Sequence, residues 1–347
     1  MNKVHGFKGY DKNLQCRGFQ YEVGKTYEHE GKAVTCESGF HFCEYPLDVF
    51  SYYPPADSRY TEVVGEGCAD NGGQNDTKVC ASKLTIGAEI GIPGIVKASI
   101  EYIKSHIDAD KKEANTGDSS VASNTGDRSM ASNTGNRSMA SNTGNRSMAS
   151  NTGDRSMASN TGYSSMASNT GYSSMASNTG DSSVASNTGY RSMASNTGDR
   201  SMASNTGDSS VASNTGDWSM ASNTGDSSVA SNTGYSSMAS NTGDRSMASN
   251  TGDWSMASNT GNRSMASNTG YSSMASVEGN ESIAVAIGYA SKAKGALGCW
   301  IVLGEQKQDD EYNWHLVDVQ CFKVDGEKIK ADTFYKLKDG QPIEAEE

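Results

Sequence analysis

Proline is scarce in this chain of 347 residues, at only 5, and hydrophobic residues make up just 34% of it. So thin an apolar fraction excludes one ordinary compact core for a chain of this length. No run of about 18 apolar residues occurs, which excludes a membrane-spanning helix. The opening residues Met1-Asn2-Lys3-Val4-His5-Gly6 contain no apolar h-region, so a secretory leader is not expected. Basic residues are outnumbered: 29 Lys and Arg against 41 Asp and Glu give a net charge of −12. That balance argues against a nucleic-acid binder working by phosphate neutralisation. Cysteines number 7, an odd count spread over the two flanks, and read as reduced thiols in a cytosol rather than a disulfide framework. A cytoplasmic protein, off the membrane, is the expectation.

What the chain has in abundance is repetition. From Asn115 the nine-residue unit Asn-Thr-Gly-x-x-Ser-(Met/Val)-Ala-Ser recurs eighteen times without insertion and ends at Ser276. The seventh position is Met in fourteen copies and Val in four; the fourth is Asp, Asn or Tyr, and the fifth Arg, Ser or Trp. An apolar residue at one fixed phase favours order over low-complexity disorder. A nine-residue period does not suit a helix, because about two and a half turns would rotate successive copies onto opposite faces. The alternative is a short strand, Ser-Met-Ala-Ser, and a corner on Asn-Thr-Gly, whose Asn and Gly tolerate positive φ. Two such units close a coil. The simplest solution is a parallel β-solenoid of eighteen residues per coil, nine coils and about 43 Å. Three repeats per coil, giving six coils, is the other possibility.

Strand alternation puts Met/Val on one face with the ninth-position Ser, and the sixth-position Ser on the other with Ala. Met/Val is read as inward, because the degenerate copy Ser282-Ile283-Ala284-Val285-Ala286-Ile287-Gly288 places large apolar residues at the same phase. The opposite reading, a tight Ser/Ala core with Met exposed, obeys the same rule. Positions four and five are expected at exposed corners, where ten Asp and eight Arg leave the rod at −2, against −4 in residues 1–114 and −6 in 277–347. A duplex-mimicking rod would carry denser negative charge. Trp218 and Trp254, four repeats apart, would share one edge and form a candidate contact patch. Calcium is rejected, since Asp occurs only at the variable fourth position and is absent from eight copies. Ice binding by the eighteen Thr is a minor reading.

The fold class expected is therefore mixed. A small α+β domain (1–114) precedes the parallel solenoid (115–294, regular to 276 and degenerate from 277), and a small antiparallel β cap (295–347) seals its open end. In the first domain, strands are expected near 20–23, 39–42, 60–64 and 79–86. Helices are expected at 46–53, opened by Pro46, and at 93–106, with Ile95, Ile100, Ile103 and Ile107 near helical spacing. In the cap, residues 298–303, 314–324 and 328–336 read as strands, with Asp325-Gly326 as a hairpin turn.

Chemistry is thinly signalled. Cys36, His41 and Cys43, with Cys16 or Cys68, could form part of a zinc site, but the spacing is no recognised knuckle; buried thiols are the reading taken, and no metal or cofactor is expected. His41 on a strand, Tyr52 and Tyr53 on a helix, and the strand Arg59-Tyr60-Thr61-Glu62 faintly resemble small ADP-ribosyltransferases. That resemblance implies that His41 grips NAD, Tyr53 stacks on nicotinamide, and Glu62 or Glu66 steers the reaction. Arg17, Arg59 and Tyr52 are the candidate binding residues of this domain.

Two further resemblances follow from longer motifs. Cys16-Arg17-Gly18-Phe19-Gln20-Tyr21-Glu22-Val23-Gly24-Lys25-Thr26-Tyr27, then Gly39-Phe40-His41-Phe42-Cys43 and Pro46-Leu47-Asp48-Val49-Phe50, resemble an uncharacterised domain of phage and prophage proteins. Residues 282–288 with Ala290-Ser291-Lys292-Ala293-Lys294-Gly295 are similar to the head repeats of trimeric autotransporter adhesins, which implies a β-roll and a homo-oligomer. The expectation is a non-enzymatic binding or scaffold protein, phage- or prophage-encoded, whose partner is a host or phage protein or a small ligand. It could antagonise a host defence component; an NAD-using enzyme and a virion structural protein are the alternatives.

Overall fold

The computed structural model describes residues 3–31, 33–34, 38–54, 58–69, 77–106 and 112–346. The chain divides into two compact units, Met1–Lys111 and Lys112–Glu347.

In the first unit the main strands are β1 (Lys3–Asp11), β2 (Thr26–Glu28), β3 (Phe40–Cys43), β4 (Ser58–Ala69) and β5 (Lys78–Ile90). The sheet runs β2-β5-β3-β1-β4 and closes on itself, because β5 pairs with β4 as well. All of these pairings are antiparallel. A bulge between Thr61 and Val63 bends the long β4–β5 ribbon. Tyr10, Tyr21, Phe42, Val63, Leu84 and Ile86 fill the interior. α1 (Ile92–His106) follows directly; Ile107 lies outside the described residues. Residues 46–51 form a 3-10 turn rather than an α-helix, with Pro46 at its start. The strand expected at 20–23 is only a two-residue arm, Phe19–Gln20, of a tight hairpin with Gln15–Cys16.

The second unit is the parallel β-solenoid with eighteen residues per coil. Each strand pairs in register with the strand eighteen residues on, Met148 with Met166 and Met157 with Met175. The coils stack two sheets, one of 13 strands and one of 12. The regular strands begin at Lys112–Asn115 and run through Lys292–Gly295; Trp300–Gln308 (β6) makes the last parallel pairing.

The inward reading of Met/Val is overturned. Ala at the eighth position is fully buried in every repeat, and Asn at the first position and Ser at the sixth are buried beside it in most coils. Met at the seventh position lies on the strand face opposite Ala: in one sheet Met139, Met157, Met175 and Met193 are 37–42% exposed, while in the other Met130, Met148, Met166 and Met202 are at most 6% exposed. The degenerate copy behaves alike, with Ala284 and Ala286 buried and Ile283, Val285 and Ile287 only half-buried. Alanines from both sheets form one contiguous cluster, so the interior is too thin for a thioether.

So small a core brings little apolar burial, and polar ladders complete it. Asn160 Nδ2 donates to Asn178 Oδ1 at 3.1 Å, and Asn178 Nδ2 donates to Asn196 Oδ1 at 3.0 Å and to the carbonyl of Val184. The buried serines form a second ladder: Ser165 N–H donates to Ser183 Oγ at 3.2 Å, whose hydroxyl donates to the Gly162 carbonyl at 3.2 Å. These bonds matter, since a buried polar atom left unpaired costs about 1–3 kcal/mol; the asparagine ladder is incomplete, and Asn133, Asn232, Asn250, Asn259 and Asn268 accept no hydrogen bond at Oδ1.

The corner also differs from expectation. The left-handed residue is the fifth, whatever its side chain: Arg155, Ser182 and Trp218 have φ of 57°, 55° and 59°. The repeat's Asn lies inside the strand and feeds the ladder. Its Gly is required by coil-on-coil contact, because a Cβ on Gly180 would sit 2.4 Å from the Gly162 carbonyl oxygen. At the fourth position Asp and Asn accept a backbone N–H from the next coil, as Asp199 Oδ1 does from Asp217 at 2.9 Å.

At the carboxyl end each sheet is finished by antiparallel strands. β6 turns back into β7 (Trp314–Lys323), and β8 (Tyr335–Lys338) with β9 (Gln341–Glu344) covers the other sheet. The hairpin turn is Asp339-Gly340, with φ of 49° and 68°, and not Asp325-Gly326. Asp325 Oδ1 instead accepts the N–H groups of Glu327, Lys328 and Ile329 at 2.9–3.0 Å, which curls the chain into a loop.

Candidate functional site

A cavity in the first unit has a volume of about 650 Å³, within the range of small-ligand pockets. β1 supplies its floor. Strand alternation puts Gly6, Lys8 and Tyr10 on the buried face, so a lysine points where a hydrophobe would be expected. Gly9 is needed beside it, because a Cβ there would lie 2.6 Å from that of Tyr53. The tight hairpin after β1 contributes Cys16 and Arg17. Its two-residue loop, Arg17-Gly18, has φ of 51° and 78°, the positive pair a type I′ turn demands.

Lys8 is 4% exposed. Its Nζ donates to the carbonyl of His41 at 2.8 Å and to Cys16 Sγ at 3.5 Å, and lies 5.1 Å from the Tyr21 ring centroid. Burial lowers its pKa, with Cys16 opposing the shift. The His41 imidazole is pushed down by burial and then by the charges of Lys8, Lys78 and Arg17. Burial and a hydrogen bond with Cys16 push the Tyr53 phenol up. Lys78 Nζ sits 4.8 Å from the Tyr52 ring at the rim. Aromatic walls and several cations line the cavity, and no Asp or Glu is among its described lining residues.

Of the residues singled out from sequence, Arg17, His41, Tyr52 and Tyr53 come together here. Glu62 is exposed on β4 and outside the lining, Glu66 pairs with Lys3 at 3.5 Å, and Arg59 is held by Glu89 at 2.6 Å. Cys16 and Cys43, named from sequence only as possible zinc ligands, also line the cavity; Lys8 and Tyr21 were not singled out, although the Gly-Phe-Lys-Gly-Tyr alternation carries the signal for Lys8.

Trp218 and Trp254 lie on one edge of the solenoid, two coils apart. Trp218 packs edge-on against Tyr235 and Trp254 against Tyr271, both with centroids 5.7 Å apart. Tyr271 stacks on Tyr289 at 5.4 Å, and Tyr289 meets Trp314 at 3.7 Å. Among the described residues no cluster of three or more His, Cys, Asp or Glu is placed to hold a metal ion. Cys36 lies outside the described residues, and Cys16, Cys68, Cys299 and Cys321 are thiols. No helix among the described residues is long and apolar enough to cross a membrane.

Residues 4–98 match the profile of a family described as a domain of unknown function (DUF7666). No curated protein and no solved structure matches the chain.

Proposed function

We propose that this is a non-enzymatic binding protein whose N-terminal domain takes a small anionic ligand bearing a planar ring, with the solenoid as a rigid spacer. The observation that carries the reading is the Lys8 ammonium, buried at the cavity with no carboxylate among its hydrogen-bond partners. A desolvated cation is costly until an opposite charge reaches it, and a bound anion supplies that charge. Tyr21, Phe40 and Tyr52 offer ring faces for the planar part. The rod keeps its pitch without the conformational freedom of a flexible linker. The resemblance to phage and prophage proteins supports a setting in the host cytoplasm, with a host component, such as part of a defence system, as the target.

Calorimetric titration of the full chain with adenosine monophosphate, adenosine and inorganic phosphate tests this. Measurable binding of the nucleotide, at least tenfold tighter than either fragment and at least tenfold weaker in Lys8→Met, is expected. Equal affinity for adenosine and the nucleotide, or no effect of Lys8→Met, would overturn the reading. His41 and Tyr53 lining one cavity favours a second reading, an NAD-using transferase, although Glu62 sits elsewhere. Label passing from NAD to protein in a bacterial lysate would establish that reading instead.

A further inference from the structure

The solenoid presents an apolar ridge on one outer face. In the 12-stranded sheet, eleven strands are parallel rungs (all but β7), and the seventh position of each carries a large apolar side chain. The column starts at Val121, passes Met139, Met157, Met175 and Met193, and ends at Trp300. Val121 is 60% exposed, the four methionines 37–42%, Met247 42% and Trp300 41%. Two residues along each regular strand the ninth-position serines form a shallower parallel column, about 7 Å from the ridge. Ridge and furrow therefore share one repeat, about 4.8 Å per rung. The corresponding column of the 13-stranded sheet is buried from Met130 to Met202 and half-buried from Met220 to Met274.

We infer that this face docks a second copy of the chain, methionine ridge into serine furrow. Pitch selects the occupant. A globular partner can meet a few rungs, whereas another solenoid of the same repeat meets every one. A two-fold axis parallel to the rods, lying in the interface midway between the two columns, lays each ridge over the other copy's furrow and sets the rods parallel and level. Flexible thioethers fit such a seam, as in dry interfaces between stacked sheets. The face measures about 17 Å by 53 Å, so pairing would bury roughly 1,800 Å² in total, the size of a stable interface. Charge does not oppose it: ten Asp and eight Arg leave the repeats at −2. Docking here is independent of the cavity and would present two cavities per particle.

Sedimentation equilibrium of the full chain at micromolar concentration is the test. A particle of twice 36.6 kDa is expected. The triple variant Met157→Glu, Met175→Glu, Met193→Glu should be monomeric, with dissociation at least a hundredfold easier and an unchanged circular dichroism spectrum. A control, Met238→Glu with Met256→Glu on the other sheet, should remain a dimer. A monomeric wild type at 100 µM (about the top of an accessible range), or a triple variant that stays dimeric, would overturn the inference. Should the triple variant unfold, hydroxyl-radical footprinting of the wild type decides. Concentration-dependent protection of Met157 and Met175, with none at Met238, supports docking, and constant labelling at all three refutes it.

Discussion

Exchanging Met256 for Gln and Ala257 for Leu separates the two possible interiors of the solenoid. The residues are neighbours on one strand, Met256 half-buried on the outer face and Ala257 fully buried. Gln preserves the length and flexibility of Met, so on the outer face its amide meets water and the change costs about 1 kcal/mol or less. Were the side chain inward, lost transfer energy and an unpaired amide would cost about 3 kcal/mol or more. Ala257→Leu adds three carbons where methyl groups of the two sheets already meet, and costs about 1–3 kcal/mol or more. Urea unfolding of the full chain, followed by far-ultraviolet circular dichroism, reads both changes as midpoint shifts at unchanged slope. A small shift for Met256→Gln and a large one for Ala257→Leu is expected. The reverse order would refute the alanine interior.

Asn178→Ala should cost about 3 kcal/mol in the same assay, because it strands the partners of a buried amide, whereas Thr179→Ala on the exposed face should be near neutral. Gly180→Ala should destabilise by about 1–3 kcal/mol: the new Cβ would meet the Gly162 carbonyl, at a φ of +146° that side chains rarely adopt. Anion affinity should fall as pH rises through the lowered pKa of Lys8, below its ordinary 10.5, and Lys8→Met should flatten that profile. The sign for stability is opposite. The folded domain holds the Lys8 proton more weakly than the unfolded chain, so its stability rises with pH across that window and falls as pH drops through the lowered value. A titration of urea midpoint against pH, with Lys8→Met as reference, checks it.

The nine-residue period made the solenoid and its coil length legible, because two strands and two corners are the least that closes a coil. The exposure of position four followed from its variability, whereas position five is exposed in some copies and buried in others, Ser164 and Ser182 fully. Alternation ties Met to Ser and Ser to Ala, but it cannot say which pair faces inward. Hydrophobicity argued for Met, and the thinness of an eighteen-residue coil decided for Ala284 and its equivalents. β1 was hidden by Gly6 and Gly9, which weaken a strand pattern yet are the residues that admit Phe42 and Tyr53. Lys8 was missed for the same reason, since without the strand its inward phase cannot be read. Asp325-Gly326 and Asp339-Gly340 look alike as dipeptides; which one turns depends on where the Asp325 carboxylate finds its donors.

Spin labels on Asp154 and Asn262, both exposed and 108 residues apart, would test the stacked coil most directly when introduced through a non-cysteine chemistry. Six coils at the parallel strand spacing place the two sites about 29 Å apart, with a narrow distribution. A sharp peak near about 19 Å would mean three repeats per coil, and a broad one centred near about 55–60 Å would mean an unfolded segment; either would contradict this structure.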